Sequence, residues 1–438
     1  MTDAKSRSRI VHNGEVYNFR ELRKRVSGKR FRTDTDAEVL LALHTSGADP
    51  AEWIPDLDGM FAFAIVSPER VLLARDPLGV KPLYLGAENG HMVFASEIKA
   101  VLELTDRVFE FPPGHFYQSG VGLKKYFSLP KGVKEEYDAE KAVTELRDRI
   151  ASAVRTRLMA DVPVGAFLSG GLDSSLIAAL AKRDVDDFMT FAVGMEGSED
   201  LEAARQMSEH LETRHHERVF TIEEAIEALP KIIYHLESFD CALVRSAVPN
   251  YFLAELASRH VKVALSGEGA DELFAGYDYL KSLAAFNLKK ELRRITLGLH
   301  NTNLQRCDRI SMAHGLEVRV PLLDDLAVVD YAFRIPIQYK LWPTKSISKW
   351  ILRKVAEGIL PDEFVGRRKL KFAVGSGLEN QLANWAEEQI SDEEFEAERT
   401  PGPNLRLQSK EELAYYRMFR ESFPADRLAG MVGRSASL

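Results

Sequence analysis

Cysteine is nearly absent from this chain: only Cys241 and Cys307 occur among 438 residues, which excludes a disulfide framework and a CxxC metal pair. Both are expected to be small core residues in a reducing compartment. No apolar run approaches the roughly 20 residues that cross a bilayer. The opening MTDAKSRSRIV has no apolar stretch of signal-peptide length. A cytoplasmic chain with no membrane partner is therefore expected. A basic excess is also missing, since 58 Lys and Arg face 66 Asp and Glu, for a net charge of −8 and a pI near 5.9. That balance argues against a nucleic-acid partner, which would call for a basic face. The short clusters Arg23-Lys24-Arg25 and Arg367-Arg368-Lys369 read as solvated faces. Internal repeats and low-complexity tracts are lacking too. What remains is an ordinary globular composition long enough for two or three domains.

The first third alternates short β-like runs with turns: FAFAIV (61–66), VLLARD (71–76), PLYLG (82–86) and MVFAS (92–96). Pro77, Gly79 and Asn89-Gly90 punctuate them, the pattern of a layered antiparallel sheet in an α+β domain, with helices near 18–25 and 37–44. From Glu140 the character changes. VPVGAFL, FMTFAVG, HHERVF and VKVALSG are strand-like, and SSLIAALAKR, LEAARQMSEHL and TIEEAIEALPKIIYHLE between them are helical. The last of these opens with a capping-box pair, Thr221 and Glu224. Alternation of this kind predicts an α/β parallel sheet with ligands at the carboxyl ends of its strands. A helical portion follows over 271–424, and 425–438 read as a disordered tail.

One such strand end carries LSGGLDSS (168–175). Backbone N–H groups at Gly170-Gly171 and the start of a helix make a site for anionic oxygens, to which Ser169, Ser174 and Ser175 add hydroxyl donors. Loops that transfer a terminal phosphate place a lysine at the helix entry; here Asp173 stands there. A carboxylate repels phosphate unless a divalent cation lies between them, so the loop fits a pyrophosphate leaving group held through Mg²⁺. The bland alternative is a glycine turn before a helix. VALSGEGADELFAGY (263–277) repeats the design: strand, SG turn, acidic residues, helix. A parallel sheet would bring its Glu268, Asp271 and Glu272 to the edge that holds Asp173, where two carboxylates from separate loops could share one Mg²⁺. Acids also favour helix starts for electrostatic reasons alone.

At these residues the chain resembles the asparagine synthetase family. SGGLDSS is similar to the pyrophosphate loop of ATP-pyrophosphatases, and SGEGADELFAGY to the family's second loop. CDRISMAHGLEVRVPLLD (307–324) resembles its helical signature, and SKWILRKVAEGILP (348–361) its late lysine motif. VHNGEVYNFREL (11–22), DGMFAFAI (58–65), LLARDPLGVKPLY (72–84) and FASEIKA (94–100) resemble its class II glutamine amidotransferase half, an Ntn-type fold. The resemblance implies an amidotransferase domain over 1–128, incomplete in this chain, and a synthetase domain over 138–424. It implies a carbon–nitrogen ligase that forms AMP, with ATP and Mg²⁺ as cofactors: ATP adenylates the β-carboxylate of aspartate, and ammonia displaces AMP to give asparagine. Small molecules (aspartate, ATP, ammonia, with glutamine as a further nitrogen source) and a second copy of the chain are the partners it suggests.

Carried over by motif, 169–175 (Ser169, Gly170, Gly171, Leu172, Asp173, Ser174, Ser175) would hold pyrophosphate, and Asp173 with Asp271 the metal. Phe167, Val193, Ser266 and Gly267 would line the adenosine pocket. Lys349 would meet charge on the α-phosphate, Arg245 the aspartate, and Glu268 an ammonium ion; the plain alternatives are a surface lysine and a salt-bridged arginine. Some relatives carry hydroxyls where Ala242 and Leu243 stand. β-Lactam synthetases resemble the family but place tyrosine at the position of Glu268, so glutamate favours an external nitrogen. Asn13, Gly14, Glu15 and Asp36 match a glutamine site, yet the cysteine nucleophile and an upstream arginine of that half have no counterpart, and Thr2 is a poor substitute. A truncated sequence and a genuinely shorter form both remain open, and both lead to ammonia as donor. Another carboxylate-activating ligase and a non-catalytic paralogue are the competing readings. His215, His216 and His314 read as structural, and Met60, Phe61 and Phe63 as core.

Overall fold

A computed structural model describes residues 1–26, 28, 30–131, 137–342, 347–368, 372–402, 405–424 and 426–434. Contacts divide the chain into two units, Met1–Val133 with Leu323–Arg334, and Lys134–Leu322 with Ile335–Leu438.

The first unit is two antiparallel sheets. Its strands are β1 (Thr2–Asp3), β2 (Ser8–Val16), β3 (Gly59–Val66), β4 (Val71–Arg75), β5 (Tyr84–Glu88), β6 (His91–Ala95), β7 (Val108–Glu110), β8 (His115–Gln118) and β9 (Gly122–Lys125). Six of them form a sheet in the order β1-β2-β3-β4-β8-β9, and three form a sheet in the order β6-β5-β7. Ala62, Ala64 and Leu73 of the larger sheet share a core with Leu83, Leu85, Phe94 and Phe111, which is the layering the alternation predicts. Met60, Phe61 and Phe63 are buried, and Phe63 stacks on Trp53 at 6.0 Å. Helices Phe19–Arg23 and Asp36–Thr45 fall where the sequence places them. Residues 323–334, read as part of the synthetase domain, belong to this unit; the Tyr17 hydroxyl donates to Asp324 Oδ2 at 3.4 Å.

The second unit is built on a parallel sheet of β10 (Val164–Phe167), β11 (Met189–Gly194), β12 (Arg214–Val219), β13 (Val263–Leu265) and β14 (Glu317–Arg319), in the order β12-β11-β10-β13-β14. The chain runs outward from β10 through β11 to β12, then returns to lay β13 on the other side of β10. Strand order therefore reverses between β10 and β13, the place where open α/β sheets leave a crevice at their carboxyl edge. Gly165 permits the tight sheet there: a Cβ on it would lie 2.7 Å from Phe191 Cε2. The capping box of Thr221 and Glu224 opens helix Ile222–Leu236. The rest of the unit is mostly helical, apart from the two-stranded pair Leu341–Trp342 and Ile347–Ser348.

The histidines are packed in place. His215 Nδ1 lies 3.0 Å from Thr190 Oγ1, His216 stacks on His260 at 3.9 Å, and His314 meets the Tyr251 ring edge-on at 4.4 Å. Burial lowers His215 and His314 to about 4. Cys307 is buried and Cys241 half-buried, where burial pushes its thiol up. Within 425–438, read as a disordered tail, helix Asp426–Ala429 forms and Leu428 and Val432 are buried; 425 and 435–438 lie outside the described residues.

Candidate active site

Two loops meet at the crevice between β10 and β13. Gly170 turns the first with φ +65°, and any Cβ on it would fall 2.5 Å from the backbone of Ala203. Gly171 then caps helix Leu172–Lys182 with no side-chain cap, leaving the first N–H groups of that helix for an anion. Ser174 Oγ accepts from the Ser169 N–H at 3.2 Å and lies 3.1 Å from Ser169 Oγ, so the two hydroxyls stand together at the loop mouth. The second loop touches the first through Gly267: a Cβ there would lie 2.8 Å from the carbonyl carbon of Asp173 and the nitrogen of Ser174.

The carboxylates converge as the sequence predicts, and a cation joins them. Lys349 Nζ lies 2.5 Å from Asp173 Oδ2 and 2.5 Å from Asp271 Oδ1. Its side chain is 2% exposed, which removes the reading of a surface lysine. Lys349 also holds a left-handed backbone, φ 56° and ψ 32°, at the N-terminus of helix Trp350–Ala356. A non-glycine residue pays about 1–3 kcal/mol for such a conformation and keeps it where the surroundings enforce it, commonly at functional sites. Gly276 makes the approach possible, since a Cβ on it would sit 1.9 Å from Asp271 Oδ1 and 2.2 Å from Lys349 Cε. Asp173 Oδ1 is buried with no hydrogen-bond partner among the described residues. A buried, unpartnered carboxylate oxygen beside a second carboxylate suits a hard divalent cation such as Mg²⁺.

One cavity gathers most of the expected residues. Phe167, Ser169, Gly171, Leu172, Asp173, Ser174, Val193, Ser266, Gly267, Glu268, Asp271 and Lys349 all line it. Gly170 and Ser175 do not: Gly170 shapes the turn, and Ser175 faces the core. A second cavity shares Glu268, Asp271, Arg306 and Phe372 with the first and is walled by Ala242, Leu243, Ser246, Tyr277 and Asn303. Between the two cavities Glu268 pairs with the buried Arg306, whose other arm donates to Asn250 Oδ1 at 2.8 Å. Burial, and then the Asp271 carboxylate, push Glu272 up to about 7; Tyr277 donates to its Oε1 at 2.5 Å and Asn303 at 3.3 Å.

Arg245 stands elsewhere. Its guanidinium forks onto Glu411, Nε donating to Oε1 at 2.8 Å, and it lines neither cavity. The geometry is that of the salt-bridge alternative: Glu411 is buried, and the Tyr415 hydroxyl also donates to its Oε1 at 2.8 Å. Arg245→Met is accordingly expected to lower unfolding free energy by roughly 3 kcal/mol, the cost of leaving a buried carboxylate without its cation. Denaturant melts and the KM for aspartate check this; a large rise in KM at unchanged stability would restore Arg245 to substrate binding.

The basic cluster at 367–369 needs the opposite correction. Arg367 Nη1 donates to the Ser169 carbonyl at 2.9 Å and Nη2 lies 3.2 Å from Asp200 Oδ1, and both Arg367 and Arg368 line the first cavity. A guanidinium matches the bare carbonyl of a phosphate loop, whereas a charge run read in isolation gives no direction. Lys369 lies outside the described residues. Arg23 and Arg25 pair with Asp34 and Asp56. Arg306, Arg353, Asp200 and Asn250 are further cavity residues the motifs did not single out, although Arg306 immediately precedes the 307–324 signature.

The glutamine-type residues sit in the first unit. Asn13 Nδ2 donates to Ser96 Oγ at 3.3 Å. Gly14 has φ +119° and passes so close to β3 that a Cβ would lie 2.0 Å from the Met60 carbonyl. Asp36 Oδ2 accepts from the Val16 N–H at 2.9 Å, and Glu15 lies between Gly14 and Val16 on β2.

Comparison with known proteins places the chain in a family. The asparagine synthase family model matches residues 145–297 and 284–431, and the glutamine amidotransferase domain model matches 1–140. Asparagine synthetase B [glutamine-hydrolyzing] of Escherichia coli (strain K12) is 38% identical over 450 residues, covering 97% of this chain and 80% of that protein. A probable asparagine synthetase of Schizosaccharomyces pombe is 36% identical, covering 95% of this chain and 81% of its own. The Zea mays enzyme is 34% identical, covering 95% and 75%. With models spanning both units and long matches at this identity, the chain belongs to the glutamine-hydrolysing asparagine synthetase family.

Proposed function

We propose that this chain is an ATP-dependent asparagine synthetase that activates aspartate as β-aspartyl-AMP, releases pyrophosphate, and transfers ammonia to the activated carboxyl. The observation that carries the reading is the buried Lys349 ammonium held by one aspartate from each of two converging loops, beside an unprotected helix N-terminus.

The loop N–H groups and the Ser169 and Ser174 hydroxyls bind the β- and γ-phosphates, placing the α-phosphate toward Lys349. Asp173 and Asp271 would hold Mg²⁺, which when bound supplies positive charge to the phosphate oxygens. An aspartate β-carboxylate oxygen forms a bond to the α-phosphorus, and the bond to the pyrophosphate oxygen breaks. Lys349 stabilises the charge that grows on the α-phosphate, an effect enlarged by exclusion of water. Glu268 faces both cavities, so its carboxylate can receive an ammonium ion at the boundary between nucleotide and acyl group. Ammonia, its extra proton taken by Glu268, then forms the C–N bond while AMP departs with the electrons of the C–O bond, and the nitrogen gives a second proton to solvent to leave the neutral amide.

Both cysteines lie in the second unit, and none occurs among residues 1–133. An amidotransferase of this type needs a cysteine nucleophile. These 438 residues are therefore expected to make asparagine from ammonium and to release no glutamate from glutamine. Asparagine, AMP, pyrophosphate and glutamate are measured with ATP, Mg²⁺, aspartate and each nitrogen source. Failure to release pyrophosphate with aspartate would reject the synthetase reading; glutamate formed in step with asparagine would reject ammonium as sole donor.

A further inference from the structure

We propose that Lys349 is the internal cation of the nucleotide-free chain: it holds Asp173 and Asp271 in the place a divalent ion would take, and yields them when that ion arrives with ATP. The inference rests on the assignment of those two aspartates to the metal.

Two carboxylates carried by separate loops repel each other unless a cation lies between them. The nearest one is covalent. Lys349 Nζ is 2.5 Å from an oxygen of each, and its side chain is 2% exposed, so solvent does not share the task. The arrangement is built for this stem: Gly276 leaves the gap through which Lys349 Cε passes, 2.2 Å from where a Cβ would stand. The same gap brings Asp271 Oδ1 within 1.9 Å of that position, so lysine and aspartate are fitted to each other and not to a side chain at 276. An ammonium hydrogen-bonded to Asp173 Oδ2 and ion-paired with Asp271 Oδ1 occupies the oxygens a shared divalent ion would need. Metal and lysine thus compete for this pair.

The means of exchange is also visible. Asp173 Oδ1 is buried and has no hydrogen-bond partner among the described residues, so one oxygen can engage an incoming ion before the lysine leaves. The backbone of Lys349 is left-handed where its helix begins, a conformation held by its surroundings. Displaced from the aspartates, the ammonium remains in the wall of the nucleotide cavity, where the anion available to it is phosphate. Arrival of metal and nucleotide together would then deliver the lysine to the reacting phosphate. The ion alone would meet a site already filled by a cation.

The test is Mn²⁺ binding, followed by electron paramagnetic resonance of the free ion and by thermal unfolding, in wild type, Lys349→Met and Asp173→Asn. Without nucleotide, Lys349→Met is expected to bind one Mn²⁺ about tenfold more tightly than wild type, or better, since a competing charge has gone. Its melting temperature, low without metal, should rise more on Mn²⁺ addition than that of wild type. Equal nucleotide-free affinities in wild type and Lys349→Met would overturn the proposal. If Lys349→Met does not fold, Lys349→Gln is read in the same way. A separate arm adds α,β-methylene-ATP: wild type should gain a tight Mn²⁺ site that Asp173→Asn lacks. Equal binding by both in that arm would remove the metal assignment itself, and the proposal with it.

Discussion

Asp173→Asn is expected to leave the fold intact and to cut aspartate-dependent pyrophosphate release by about 10²–10³, the loss typical of one preorganised electrostatic contact. Asparagine keeps the shape of aspartate, so the close contact of Gly267 with the backbone at 173–174 survives. Charge is what changes. Lys349 keeps its ion pair with Asp271 and loses the one at 2.5 Å with residue 173, and a divalent ion at the proposed site would lose a charged ligand. The helix start loses a favourable acid worth only about 0.3–1 kcal/mol. A coupled pyrophosphate assay alongside circular dichroism checks both halves. Near-normal turnover in a folded variant would strike Asp173 from the reacting centre.

A single methyl group should do comparable damage. Gly276→Ala places a carbon 1.9 Å from Asp271 Oδ1 and 2.2 Å from Lys349 Cε, so both partners of the ion pair must shift to admit it. Turnover is expected to fall by about 10²-fold, as positional errors near 1 Å do. Overpacking should also lower the unfolding free energy by about 1–3 kcal/mol. Gly402→Ala is the control, because among the described residues nothing lies within 4 Å of the Cβ it would add. Activity and denaturant midpoints measured on the pair separate crowding at the site from a general effect of losing glycine. Equal behaviour of the two variants would mean that the lysine–aspartate contact tolerates displacement.

The parts of this molecule that could be read from sequence are those in which local pattern and global fold agree. The strands of both units alternate or run apolar in their expected places, and the two SG loops end β10 and β13 as a parallel sheet requires. Convergence of Asp173, Asp271 and Lys349 was legible because each sits in a motif of its own. The partner of Arg245 was not, since Glu411 lies 166 residues away in a helix whose pattern announces only amphipathicity. Arg367 misled for the same reason: three basic residues in a row look solvated until the Ser169 carbonyl is seen beside them. Arg306 fell one residue outside a recognised stretch, and its tie to Glu268 depends on how helix Asn303–Met312 is rotated. Pairing between distant side chains has no periodicity, so periodicity cannot reveal it.

The reversal of strand order that opens the crevice also determines when the crevice can exist. β10 is synthesised about a hundred residues before β13, which must pair beside it, and Lys349 follows Asp173 by 176 residues. A nascent chain can complete the amidotransferase-like unit's β2–β9 and the β10–β12 half of the second sheet long before the first cavity has a second wall. Contacts of such sequence separation carry a high loop-closure cost and form late in slow-folding topologies. If the first cavity is the nucleotide site proposed above, it reports on completed folding: its walls come from β10, β11, the loop after β13 and Lys349, so during refolding the binding signal of an ATP analogue should lag behind the recovery of helical and strand content.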